Sequence, residues 1–434
     1  GFNWWNINYD SGVDGWSAED FLVKYTAPAP TPSLTCSAIN VRCVDDTAGA
    51  TQEYATIQAA ANVAVAGDTV LVHDGNYAGA QITKSGTVGN PITIKANGSN
   101  AVINTDGPTG DGIRFENVNY IILDGFKIQN TSQRCVAARG ATATAPMTGL
   151  VVRNNVCTNG SIQGFYLSQA SNSLVENNTI SGISGTGTTE GHGIYLANAG
   201  SDNTTIRGNT IFNNTGASAA EGIHINGDIS IGGDGIISGL LIEKNIIYNN
   251  NNNGFNMDGV QDSTIQNNIL FGNGRHALRA YAIDGAQGPK NLKIINNTFI
   301  IPSGSTGWPI KLSEDLGGHT IFNNILLNNS SNGSIVTANT NFKSNNNIVN
   351  GTFSVDGETT TINLTSWQSR GYDINSLTST ATSLFTNSTT NDYTLKTGAP
   401  AIDKGVVSFN TISAPTADIL GVSRQGVAYD IGAY

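Results

Sequence analysis

The chain has 434 residues, a net charge of −11 and a charged fraction of only 12%, about half of what soluble domains usually carry. That balance excludes a nucleic-acid binder, which needs clustered Lys and Arg, and no run approaches the ~18 apolar residues of a membrane span. A hydrophobic fraction of 38%, with Ile, Val and Thr recurring throughout, excludes intrinsic disorder. What remains is an ordered all-β protein kept in solution by amides and hydroxyls.

Trp4, Trp5 and Trp16 fall in two short apolar runs around a turn, which predicts a strand, turn and second strand. This stretch, residues 1–26, resembles the end of a bacterial SH3-like domain, where a paired-Trp strand precedes a Gly-Trp-x-Ala-Glu-x-Phe-Leu strand. On that resemblance the chain is expected to be a piece of a longer secreted protein. Residues 27–35 then read as an extended proline-rich linker.

The four cysteines fall as Cys36 with Cys43 and Cys135 with Cys157, without zinc spacing. We expect the first pair to be a disulfide, hence an oxidising compartment; spacing leaves the second pair open between a disulfide and buried thiols. Residues 54–67 predict one helix, with Ile57, Ala60, Ala61 and Ala64 on one face and Gly67 to end it. Strands are expected at 68–77 and 90–96, where short apolar runs are bounded by Gly, Asn and Pro.

From about residue 110 the chain repeats itself. An Asn before an apolar pair recurs at Asn155, Asn178, Asn209, Asn245, Asn268, Asn297, Asn324 and Asn347, at intervals of 23, 31, 36, 23, 29, 27 and 23. A shortest period of 23 with variable excess implies a β-solenoid coil with insertions at fixed turns, its stacked asparagines exchanging amide hydrogen bonds. A second line is a short strand opened by a small residue, as in Gly164-Phe-Tyr-Leu, Gly193-Ile-Tyr-Leu and Gly222-Ile-His-Ile. Alternation turns the second and fourth residues inward and the third outward.

After residue 350 the repeat dissolves. The segment from Asp392 to Gly405 and the final Asp430-Ile-Gly-Ala-Tyr434 resemble the closing segment of bacterial right-handed parallel β-helix proteins, where it covers the last open coil. With the Asn90-Pro-Ile-Thr-Ile-Lys run, the resemblance spans roughly residues 40 to 434. It implies a single-stranded right-handed parallel β-helix over 36–350 with an N-terminal capping helix, and a closing segment over 351–434. The superfamily hosts lyases, hydrolases and adhesins, so the fold does not choose among them.

The outward residues of successive coils are Arg114, Ala137, Tyr166, Tyr195, His224, Asn256, Arg279 and Lys311. From Tyr166 onward they predict one ridge of aromatic, imidazole, amide and cationic groups, long enough for several sugars. Tyr166, Asn256 and Asp258 are the expected sugar-binding groups. Lyase chemistry on a uronate needs a cation for the carboxylate and a base for the adjacent C–H: Arg279 as neutraliser with Lys311, His224 or Tyr195 as base. The pattern resembles alginate and chondroitin lyases of the β-helix type, which pair Lys and Arg on neighbouring coils beside Ca²⁺, although Arg and Lys stand here in reverse order. Glu221, Asn226 and Asp228, with Asp258, are the residues we expect to supply any Ca²⁺ ligands. His73, His192, His276 and His319 are expected at coil edges as partnerless polar surface.

We therefore expect a secreted or cell-surface carbohydrate-active protein, foremost a lyase on an acidic polysaccharide or cell-wall glycan. A non-catalytic adhesive or self-assembling solenoid, or a carbohydrate-binding protein, explains the same residues without chemistry. A glycoside hydrolase is the weaker enzyme reading, because no pair of cleft carboxylates stands out.

Overall fold

The computed structural model describes residues 4–7, 15–18, 36, 39–47, 54–185, 190–216, 219–426 and 428–434. The chain divides into two compact units, Gly1–Ile39 and Asn40–Tyr434. In the first, Trp4–Ile7 pairs antiparallel with Gly15–Ala18, as the tryptophan pattern predicts. The expected linker at 27–35 lies outside the described residues.

The second unit is a stack of coils, each contributing one strand to each of three parallel ladders. The first ladder is an 11-stranded sheet running from Ala80–Ile82 to Phe353–Ser354, and the other two belong to one 22-stranded sheet. Expected strand positions hold with shifted ends, at Thr69–Ala78 and Ile92–Thr105. The helix is shorter than the pattern suggests, Ile57–Val63, because Tyr54 pairs with Val44 instead, Thr56 caps the start, and Ala64 turns extended. Its face of Ile57, Ala60 and Ala61 is buried in the core.

Between the second and third ladders every coil makes the same bend. A residue with positive φ comes first, Asn154, Asn177, Gly208, Lys244, Asn267, Asn296, Asn323 or Asn346, a conformation that Asn and Gly tolerate best. The Asn that follows is buried. Its Nδ2 donates to Oδ1 of the Asn one coil on, at 3.1 Å from Asn155 to Asn178 and 2.9–3.0 Å at each step to Asn347. Its backbone N–H donates to the same oxygen, and Nδ2 also reaches carbonyls such as Val175 O and Ile206 O. The column ends on Asp373 and Ser376. A second, shorter column, Asn214, Asn250 and Asn273, joins the third ladder to the first.

The small residue that opens each first-ladder strand has a packing cause. A Cβ at Gly193 would run into Ile211 Cγ2, and one at Gly222 into Ile247 Cγ2. On one coil the same two places hold Cys135 and Cys157, in register with Gly164 and Ile180, and there they are joined by a disulfide with Cα atoms 5.9 Å apart. No cysteine among the described residues is free.

Within 351–434 the stretches that carry the resemblance, 392–405 and 430–434, do not cover the last coil, and an earlier part of the same segment does. That end is covered by the helix Leu364–Gln368, whose Trp367 stacks on Phe353 at 4.7 Å, and the ladders run on to Thr378. Beyond it the chain folds back along the outside of four coils. The amides of the positive-φ residues Asn267, Asn296, Asn323 and Asn346 bond the backbone of Ala417, Asp430, Val406 and Lys404. Tyr393 packs on Phe271, the end of a stack of Phe212, Tyr248 and Phe271 at 4.9 Å spacing.

Replacing Asn245 by Ala strips partners from Asn209, Asn268 and Ile206 O together. At about 1–3 kcal/mol for each buried group left unpaired, denaturant unfolding is expected to show a loss of at least about 3 kcal/mol; a loss below about 1 kcal/mol would mean the column is not stabilising.

Candidate functional site

The first ladder places the expected ridge in register. Tyr166 pairs with Tyr195, Tyr195 with His224, His224 with Asn256, Asn256 with Arg279, and Arg279 with Lys311. Five steps of about 4.8 Å make the row about 24 Å long. Tyr195 and His224 stack with centroids 4.7 Å apart and planes 4° from parallel, and Tyr166 meets Tyr195 edge-on at 5.5 Å. The middle of the row is a floor rather than a crest: His224 is 8% exposed and Asn256 5%.

The row has neighbours on both sides. Two residues further along the strands stand Asn226, Asp258 and Tyr281. Asn226 donates to Tyr195 Oη at 3.3 Å and to Asp284 at 3.2 Å, and Asn256 donates to Tyr281 Oη at 2.8 Å. The Asp258 carboxylate accepts three backbone N–H groups, from Ile283, Asp284 and Gly285, and so shapes the adjoining loop. Arg279 lies over the Tyr281 ring at 3.8 Å, with no carboxylate ion pair among the described residues. Lys311 donates to Glu358 at 2.7 Å.

On the other side, three residues earlier, stand His192, Glu221, Asn253, His276 and Trp308. The expectation of partnerless surface histidines fails here: His192, His276 and His319 are at most 1% exposed. Each accepts at Nδ1 a backbone N–H from a neighbouring coil, from Glu221 at 3.2 Å, Trp308 at 2.9 Å and Leu292 at 3.0 Å. His73, half-buried, meets Asn97. An Nδ1 that accepts puts the proton of a neutral ring on Nε2. In His192 that N–H faces Glu190 Oε2 at 2.8 Å and His224 Nδ1 at 3.0 Å. His224 Nδ1 is then an acceptor, its proton sits on Nε2, and Nε2 has no partner.

Glu190, His192 and His224 bring three ligand atoms within 4.8 Å of one another. Coordination by His192 Nε2 would require its proton to move to Nδ1, against the Glu221 N–H, so the trio is a hydrogen-bonded relay rather than a metal centre. Of the expected Ca²⁺ set, Asn226 pairs in register with Asp258 and accepts the Asp228 N–H, but Glu221 stands apart from them. Glu221 and Asn226 lie five residues apart along extended chain, on the order of 15 Å, and on opposite sides of His224. Glu221 is 2% exposed and spent on Asn252 and Asn253, while Asp228 caps a helical turn at Ser230.

Burial sets the titration of this region. It pushes the Glu221 carboxyl up to about 7, against the Asn252 and Asn253 donors that favour its ionised form. Burial, with His192 and Arg279 adding to it, holds His224 well below the usual imidazole range. Burial also raises Tyr195 to about 12, so its hydroxyl keeps its proton.

Residues 68–230 match a family model described as a right handed beta helix region. The fold is a right-handed parallel β-helix. The crystal structure of the pectate lyase Pel9A is similar, with a TM-score of 0.60 at 15% identity, covering 87% of this chain and 90% of that one. XylC in its complex with xylose is similar at a TM-score of 0.53 and 12% identity, covering 91% of this chain and 98% of that one. At such identities the likeness is one of fold. No curated protein sequence matches the chain.

The residues whose part in the site the sequence did not show, Glu190, His192, His276, Tyr281, Trp308 and Glu358, divide by cause, Glu190 lying two places before the aligned strand that His192 opens. His192, His276 and Trp308 were in the same coil alignment, three places before the row. Tyr281 stood two after it. Glu358 comes from beyond the repeat and left no signal.

A β-helix carrying Glu221→Gln tests the buried carboxyl. The folded-state value near 7 lies above the ordinary 4.5, so Glu221 contributes stability that is fully present below about 4.5 and lost as pH rises through about 7. Between about pH 4 and pH 8 the parent should lose about 3 kcal/mol relative to the variant in urea unfolding; parallel pH profiles would contradict it.

Proposed function

We propose that this protein is a secreted or cell-surface polysaccharide lyase that cleaves an acidic, uronate-containing polysaccharide by β-elimination. The observation that carries the reading is the register that sets Arg279, free of any ion pair among the described residues, one coil from Lys311 in a row about 24 Å long that begins with two tyrosines. The Cys135–Cys157 disulfide supports an oxidising compartment, and among the described residues no helix is long and apolar enough to cross a membrane. The matched folds of a pectate lyase and a xylose complex add support without deciding the chemistry. Coverage of both ends of the stack, by Ile57–Val63 and Leu364–Gln368, disfavours end-to-end assembly.

In this reading Arg279 takes the uronate carboxylate bidentately and acidifies the neighbouring C–H. As the sugar enters, the contact of Lys311 with Glu358 gives way and the ammonium passes one proton to solvent; the resulting amine removes the C–H proton. Distance separates the other candidate bases from this step, since His224 and Tyr195 stand three and four coils from Lys311, about 14 and 19 Å away. His224 also has its lone pair committed to His192. These two residues and Tyr166 bind sugar rings and hydroxyls further along the row, with Asn256 and Asp258 holding the floor and wall. Tyr281, next to Arg279 and protonated through burial, is the group placed to protonate the leaving oxygen.

The test is ultraviolet absorbance of unsaturated product from pectate, alginate and glycosaminoglycans. We expect release from at least one, with Arg279→Ala and Lys311→Ala each lowering kcat by about 100-fold or more. No absorbance from any polymer, with or without Ca²⁺, overturns the lyase reading; reducing ends without absorbance would replace it with hydrolysis. EDTA treatment followed by Ca²⁺ tests Asn226, Asp228 and Asp258, which remain adjacent: a rate that EDTA lowers and Ca²⁺ restores supports an ion held there, and an unchanged rate rules it out.

A further inference from the structure

Beside Arg279 and Lys311 opens a cavity of about 350 Å³ whose wall includes Arg275, His276, Trp308, Lys311, Asn332 and Glu358. Two of these side chains are anomalous. His276 is 1% exposed and Trp308 2%, and both His276 Nε2 and Trp308 Nε1 are buried without a hydrogen-bond partner. The Trp308 backbone N–H donates to His276 Nδ1 at 2.9 Å, which leaves the His276 proton on Nε2. Both atoms are therefore N–H donors lacking an acceptor, a rare and costly state in a folded protein.

The charges that act on His276 are all positive, and the one carboxylate on the wall, Glu358, is paired with Lys311. Burial, with Arg275, Lys311 and Arg279 adding to it, holds His276 down to about 2, so the ring stays neutral. Among the described residues only Lys311 of the three has a carboxylate partner, Glu358, in a chain whose net charge is −11. The wall thus gathers donors and positive charge, with its one carboxylate already spent. Side-chain acceptors for a sugar hydroxyl on this wall are Asn332 Oδ1, Glu358 and the hydroxyls of Thr306 and Thr361, and none of them pairs with the two buried N–H groups. A carboxylate only accepts, through about four lone-pair positions.

We propose that this cavity is a subsite for the carboxylate of a second acidic sugar, next to the one held at Arg279. The inference rests on the reading of the row as an acidic-glycan groove and narrows it to polymers with acidic residues close together along the chain. Arg275 offers bidentate pairing at the mouth, and the His276 and Trp308 N–H groups bind deeper. Neither nitrogen is open to solvent, so the sugar reaches them with the side-chain adjustments common on binding. A sulfate ester presents the same acceptor-only chemistry and is separated by experiment.

Equilibrium binding is measured by calorimetry on the full chain, under conditions without turnover. The probes are trisaccharides of galacturonate and of mannuronate, their carboxyl-reduced neutral counterparts, and a sulfated galactose trisaccharide. At least one uronate should bind about 10-fold or more tightly than its neutral counterpart. Arg275→Ala and Trp308→Phe, the latter removing the N–H while keeping an aromatic ring, should each erase about 10-fold of that preference. Thermal melts confirm that Trp308→Phe is folded, and Arg275 is exposed, so its replacement does not strain the core. Equal binding of acidic and neutral probes, an unchanged preference in both variants, or tighter binding of the sulfated probe overturns the proposal. Preference lost in the variants while no unsaturated product ever forms would sink the lyase reading and leave the subsite standing. Product formation with an unchanged preference would do the reverse.

Discussion

The structure depends on a buried column of amides. Each Asn from Asn155 to Asn324 gives two bonds, from its backbone N–H and its Nδ2, to the Oδ1 of the equivalent residue one coil on, so each oxygen from Asn178 to Asn347 receives two. A slip of one residue at any level would bury those groups unpaired and turn a row of Ile and Val outward. Coils of 23 and of 36 residues can therefore share one stack: their excess is expelled into loops while the bend stays aligned. The surface row inherits this precision from the interior, which is how residues spread from Tyr166 to Lys311 come to lie in one line.

Packing around the column reinforces it. Glycine opposite Ile211 and Ile247 lets the first ladder close on the third, and on one coil a disulfide takes the place of that pair. The positive-φ asparagines have a second task. Their outward amides hold the returning C-terminal segment, with Arg424 reaching Asn267 Oδ1 at 3.0 Å. The floor of the groove is thus one face of a stack tied from inside and from behind. Such rigidity suits a site that must hold charged groups at fixed separations along a polymer.

The repeat was legible because its signals are local: the Asn period, the small residue opening each strand and the alternation after it. Those three sufficed to place Tyr195, His224, Arg279 and Lys311 on neighbouring coils. What failed was whatever depends on distance in sequence. The histidines looked solitary because their Nδ1 partners are backbone N–H groups one coil away, which no spacing reveals; the carboxylates of Glu190 and Asp315, two and four residues from His192 and His319, were legible but went unused. Glu221, Asn226 and Asp228 looked like a ligand set because they are close in sequence, but extended chain carries Glu221 and Asn226 to opposite sides of the row. The resemblance places the closing segment over 351–434 on the open end, and Trp367 from that segment fills it, while the stretches 392–405 and 430–434 that carry the resemblance run along the outside of the coils. The Cys135–Cys157 bond was undecided because strand alternation alone does not show that Gly164 and Ile180 meet across the coil.

Chemistry in the groove is accordingly a matter of position along the row. Residues that seem interchangeable as bases in a sequence are separated by whole coils, and only Lys311 lies one coil from the level that Arg279 and Tyr281 share. The most direct measurement is a crystal structure of the protein with a bound uronate oligosaccharide. The account predicts a sugar chain lying across the first ladder between Tyr166 and Lys311, with a carboxylate on the Arg279 guanidinium. Density for the sugar on another face of the stack, or along the row with its carboxylates turned away from Arg279, would contradict it.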